Sequence, residues 1–169
     1  MLAPKEPSLL RMSFRNGFIA GALLALGIGA WLFLLWQPEH QVALHSEHLM
    51  RAIEAKKWSR IEAAVAVYYQ DQWRHDRALA LARLRQVLSF SRNPRLAVSG
   101  PAVRVTERDG YWRAHIRFEA DPNEVTDLIR SRVNALDQPF ELHWRRQSWK
   151  PWDWKLASVS NPALEVPNY

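Results

Sequence analysis

Tyr111 to Ala120 reads YWRAHIRFEA. Trp112, Ala114, Ile116 and Phe118 fall on one parity; Arg113, His115, Arg117 and Glu119 fall on the other. A period of two marks a strand with one face buried and one face wet. Asp109-Gly110, just before it, is a hairpin turn signal, so Pro101–Arg108 is expected to pair with this strand. Arg95–Ser99 is a further short strand. Downstream, Phe140, Leu142 and Trp144 alternate with Glu141, His143 and Arg145. That pattern predicts strands over Gln138–Trp149 and Trp152–Ser160, joined near Lys150-Pro151. Trp152, Trp154 and Leu156 continue the apolar face. Between the strand sets, Asp121-Pro122-Asn123-Glu124 opens a helix that runs to about Leu136, with Asp at the N-cap, Pro at N1 and Glu at N3.

Upstream of Asn93-Pro94 the period is helical. Gln41–Trp58 carries Val42, Leu49, Ala52 and Ile53 on one stripe, with the Lys56 stem beside them. Ser59-Arg60-Ile61-Glu62 has the form of a capping box and predicts a second helix. Its inner face is Trp58, Ile61, Val65, Tyr68 and Gln72. Asp76 is the N-cap expected for a third helix, Arg77–Ser91, with Ala78, Leu81, Leu84 and Leu88 inward. The class is therefore α+β: three helices packed on a curved, mostly antiparallel sheet with one inserted helix.

Ahead of all this, Gly17 to Trp36 reads GFIAGALLALGIGAWLFLLW, with no charge and no proline. At about 1.5 Å per residue it is long enough to cross a hydrocarbon core of roughly 30 Å. Lys5, Arg11 and Arg15 precede it, and the first basic residue after it is Arg51. The positive-inside rule places residues 1–16 in the cytoplasm and the folded domain, 37–162, on the extracytoplasmic side of an inner membrane, with 163–169 as a tail. Trp31 and Trp36 lie toward the outer end, as interfacial anchors do. A cleaved signal peptide is the competing reading; the length of the run and its Leu34-Leu35-Trp36 end favour retention. Gly17, Gly21, Ala25 and Gly29 form a small-residue stripe through which a second copy of the helix can approach, which makes the stripe, together with the outer sheet face, a candidate homodimer contact.

The chain has 169 residues, a net charge of +6 and no cysteine. After the anchor there is room for one domain. Disulfides, thiolate catalysis and cysteine-based metal sites are excluded. The basic residues are scattered, so the charge does not by itself argue for nucleic acid.

The helix break at Lys57-Trp58-Ser59, the helix–helix–helix–strand order, and the ending Phe140-Glu141-Leu142-His143-Trp144-Arg145-Arg146 … Trp154-Lys155-Leu156 … Asn161-Pro162 resemble the nuclear transport factor 2-like superfamily, over roughly Gln41 to Pro162. The inserted helix departs from its minimal pattern. The resemblance implies a cone-shaped fold that hosts isomerases, dehydratases, hydrolases and non-catalytic domains, so fold alone does not select a function. The single-pass layout is also similar to the inner-membrane scaffold subunit of type IV secretion systems.

In such a cone a ligand enters between the helices and the concave sheet face. By parity that face carries Trp112, Trp144 and Trp154, with Tyr68 expected opposite. Those four form a candidate aromatic pocket for a small apolar molecule, against the simpler reading that they are core. Asp71 and His75 are the one acid–base pair expected near the cone mouth, and are the catalytic candidates of the enzymatic alternative. Arg113, His115, Arg117, His143 and Arg145 have the outward parity and make a candidate interface. His45 and His48 share a helix face, but without a third ligand no metal is expected, and no cofactor. Trp144-Arg145-Arg146-Gln147-Ser148-Trp149-Lys150 interleaves aromatics with cations in the manner of nucleic-acid platforms; the expected extracytoplasmic placement argues against nucleic acid. The function expected is a membrane-anchored, non-enzymatic binding or assembly domain. The alternatives are an enzyme of the aromatic cavity and a secretion-type scaffold.

Overall fold

A computed structural model describes residues 14–164. Lys5 and Arg11 of the expected cytoplasmic tail, and the terminal residues 165–169, lie outside them. The chain divides into two units, one ending at Leu35 and the other spanning Trp36–Tyr169. The first is helix α1, Phe14–Leu35. Its Gly17–Leu35 stretch has a mean hydropathy of 2.4 and the length of a membrane span. An apolar N-terminal helix of this kind serves as a membrane anchor or as a secretion signal.

The second unit is α+β. Helices α2 (Pro38–Glu54), α3 (Trp58–Ala64) and α4 (Arg77–Phe90) precede strands β1 (Arg95–Thr106) and β2 (Asp109–Glu119). Helix α5 (Glu124–Asn134) is inserted before β3 (Phe140–Arg146) and β4 (Trp154–Ser160). The four strands form one curved antiparallel sheet in the order β1-β2-β3-β4. Helix α2 lies across its inner face. There Val42, Leu49 and Ile61 meet Trp112, Ala114, Leu142, Trp144, Trp154 and Leu156 in one core. Burial of the alternate residues is the strand period made physical: Trp112, Ala114 and Phe118 are buried while Arg113, His115 and Arg117 are exposed.

Several local expectations are corrected. Helix α2 starts at Pro38 and ends at Glu54, because Lys56 turns into the left-handed region (φ 49°) and sends its ammonium to the Ser91 carbonyl, 2.6 Å away. Helix α3 is capped by Lys57 without a side-chain bond; Glu62 pairs with Arg85 instead of closing a capping box. It has only 7 residues, since Val65 goes extended and bridges Leu156. The segment that follows runs along β4: the Ala66, Gln70 and Gln72 amides donate to the carbonyls of Leu156, Ala157 and Val159. It thereby covers an edge that would otherwise be open for pairing. Helix propensity lost to these tertiary hydrogen bonds, which is why Tyr68 and Gln72 are not on an inner helical face.

Arg95–Ser99 and Pro101–Arg108 merge into the single strand β1, with a register shift between Ser99 and Ala102 around Gly100 (φ 61°). The hairpin turns at Glu107-Arg108, with Glu107 at φ 52°, and not at Asp109-Gly110. Gly110 lies inside β2 because α2 crosses directly above it: a Cβ there would come 2.4 Å from Val42 Cγ2. Helix α5 is capped by Asn123 rather than Asp121. Asn123 Oδ1 accepts from the Thr126 amide at 2.9 Å, and Thr126 Oγ1 accepts from the Asn123 amide at 2.9 Å. The far end of β2, beyond the reach of β3, is paired by a side chain. Asn134 accepts from the Phe118 amide and donates to its carbonyl, at 2.8 and 3.2 Å.

Candidate functional site

The three tryptophans of the expected aromatic pocket face one side of the sheet, but they are packed core. Trp112, Trp144 and Trp154 are 2%, 0% and 1% exposed. Indole is amphipathic and needs a partner for its N–H when buried. Trp144 Nε1 donates to Ser46 Oγ at 2.9 Å and Trp154 Nε1 to the Pro151 carbonyl at 2.8 Å. Tyr68 does not sit opposite them: it is half exposed in the segment after α3, and its hydroxyl accepts from Gln147. The expected pocket is corrected on this point. Trp152, assigned to the apolar face by alternation, is also exposed, in the β3–β4 loop.

Asp71 and His75 are brought together, not at the end of a helix but within a tight loop. Asp71 Oδ2 lies 2.9 Å from His75 Nδ1. Oδ1 accepts the amides of Trp73 and His75, at 2.9 and 2.8 Å. Both side chains are buried, and His75 Nε2 has no hydrogen-bond partner among the described residues. The neighbouring Tyr69 hydroxyl is pushed well above its ordinary pKa, by burial first and by the Asp71 charge second. A carboxylate on Nδ1 fixes the imidazole's orientation and presents Nε2 as a base. With the ring this buried, a substrate reaches Nε2 only if the loop moves. The loop is tied down: Trp73 Nε1 donates to the Leu164 carbonyl at 2.8 Å, and Gln72 exchanges hydrogen bonds with the Asn161 backbone at 2.6 and 3.0 Å.

The outer sheet face holds the five candidate interface residues. The register sets Arg104 beside Tyr111 and Tyr111 beside His143, one from each of β1, β2 and β3. The Arg104 guanidinium sits 5.1 Å from the Tyr111 ring centre. The Tyr111 and His143 rings stack at 4.7 Å with 5° between their planes. His143 Nε2 lies 2.8 Å from Asp109 Oδ1, and the Arg145 guanidinium is 3.9 Å from the same oxygen. Arg113 pairs with Glu141, while His115 and Arg117 are exposed farther along β2. The row is ordered before any partner arrives, since each ring or cation is held by its cross-strand neighbour. Sequence reasoning missed Tyr111, Arg104 and Asp109 as members. Tyr111 was visible by parity with Arg113; Asp109 was hidden by its reading as a turn residue.

No family model matches this sequence, and no curated protein matches it. Solved structures do match the fold. A nuclear transport factor 2-like protein of unknown function from Pseudomonas putida superposes with a TM-score of 0.54 and 12% identity, over 72% of this chain and 82% of that one. A provisionally assigned dehydratase of the same family from Streptomyces avermitilis gives 0.53 and 14%, over 72% and 93%. Bdellovibrio bacteriovorus Bd1075 gives 0.55 and 9%, over 70% of this chain; the match spans only 38% of that protein. At these identities the likeness is one of fold, and the α+β unit after the apolar helix has the nuclear transport factor 2-like fold.

Proposed function

We propose that this chain is a single-pass, membrane-anchored, non-enzymatic binding or assembly domain displayed on the extracytoplasmic side, and that it meets its partner through the outer face of the sheet. The observation that carries this reading is the contrast between the two sheet faces. The inner face is closed by tryptophans that are almost fully buried, whereas the outer face presents an ordered row of exposed arginines and half-buried rings, Tyr111 and His143. Arginine and tyrosine are the side chains that anchor protein interfaces. A second copy of the chain, brought close by the Gly17, Gly21, Ala25 and Gly29 stripe, is one such partner. A secretion-type assembly is another. The enzymatic reading keeps one observation in its favour, the oriented Asp71–His75 pair.

Arg117 and Arg145 are exposed, and reversing them is expected to cost the fold about 1 kcal/mol, mainly through loss of the Arg145–Asp109 pair at 3.9 Å. Arg117→Glu combined with Arg145→Glu is expected to abolish crosslinking to itself or to a partner in native membranes, while the melting temperature falls by only a few degrees. Undiminished crosslinking would remove the sheet face as the contact surface.

A further inference from the structure

We propose that a cleft between α2, α3 and β4, separate from the sheet face, binds a small molecule that joins an anionic group, a phosphate or carboxylate, to an apolar body. The cleft has a volume of about 570 Å³, within the range of small-molecule sites, roughly 300–1,000 Å³. Its apolar lining is Leu49, Ala52, Ala63, Ala64 and Trp154. Its polar lining is His45, His48, Arg51, Lys57, Arg60 and Lys155, with no carboxylate among them. Arg51 has Glu47 at 3.6 Å, on the solvent side. Lys57, Arg60 and Lys155 have no acidic partner among the described residues. Lys155 is instead held in place by the Ala63 carbonyl, 2.7 Å away.

Cations that converge without a counter-charge repel one another, and an anion relieves that repulsion. His45 lines the same cleft. Its pKa is held below the ordinary value, chiefly by burial; the Trp152 carbonyl opposes this, His48 and Lys155 lower it further, and Asp153 raises it. A single phosphate would be met by flexible ammonium groups and a guanidinium fork from three elements, while its substituent lay against the exposed Ala63 and half-buried Ala64, over a floor made by the edges of the buried Leu49, Ala52 and Trp154. The inner face of the sheet is filled by its tryptophans, and this cleft lies outside it.

The test uses the full chain in phosphatidylcholine nanodiscs, titrated calorimetrically with phenyl phosphate, phenyl glucoside and inorganic phosphate. Phenyl phosphate is expected to bind saturably and more tightly than inorganic phosphate, and the neutral glucoside not at all. Lys57→Glu with Arg60→Glu should weaken phenyl phosphate by at least about tenfold, since it replaces two cations of the cleft with two anions. Ala63→Trp, which fills the exposed mouth, should abolish binding, and Arg117→Glu with Arg145→Glu should leave it intact. Adding phosphatidylglycerol to the nanodiscs separates the two sources: competition marks a lipid headgroup, and no competition marks a free solute. Equal binding of the glucoside, retention of affinity in the Lys57/Arg60 variant, or an equal loss in the sheet-face variant would overturn the proposal. Because the sheet-face variant is scored by crosslinking and the cleft by calorimetry, failure of one reading leaves the other standing.

Discussion

Trp144→Ala is expected to destabilise the α+β unit by about 3–5 kcal/mol, the range for removing a large aromatic from a packed core. The ring is fully buried at the crossing of α2 and β3, and its N–H is spent on Ser46. Truncation leaves a void lined by several elements at once, and it strips the buried Ser46 hydroxyl of a donor while that group still donates to the Val42 carbonyl at 2.9 Å. Urea unfolding followed by circular dichroism checks it. A loss under about 1 kcal/mol would mean that the cone interior tolerates empty space, and would favour the enzymatic cavity over the binding reading.

Asp71→Ala is expected to cost about 3 kcal/mol, since three donors lose one acceptor group: the Trp73 amide, the His75 amide and His75 Nδ1. Asp71→Asn keeps an acceptor oxygen for the amides and should cost roughly a third as much. Thermal unfolding of both variants separates a structural pair from a catalytic one. If Asp71→Ala left stability untouched, the carboxylate would be serving chemistry and not the loop.

The sheet was largely legible in the sequence because alternation survives wherever one face is buried and the other wet; Trp112/Arg113 and Trp144/Arg145 both obey it. What the sequence hid were decisions made by tertiary contact. Helix α3 stops at Ala64 because the next residues gain hydrogen bonds on β4, a gain that no local pattern encodes. Gly110 looked like a turn residue; its role is to let Val42 approach β2, a fact about two distant segments. Asn123 displaced Asp121 as the cap because both have capping side chains, and only the path of the chain chooses between them. Of the candidate sites, the outward parity of Arg113, His115, Arg117, His143 and Arg145 was readable directly. The burial of Asp71 and His75 was not, nor was the cationic cleft, which gathers residues from three separate elements.

Because the chain has no cysteine, a single Leu128→Cys on the exposed side of α5 gives a clean probe of where the folded unit lies. In membrane-bound full-length protein, a membrane-impermeant maleimide applied to intact spheroplasts should label this cysteine fully, with no increase on lysis. Labelling that appears only after lysis would put the domain on the cytoplasmic side and contradict the account.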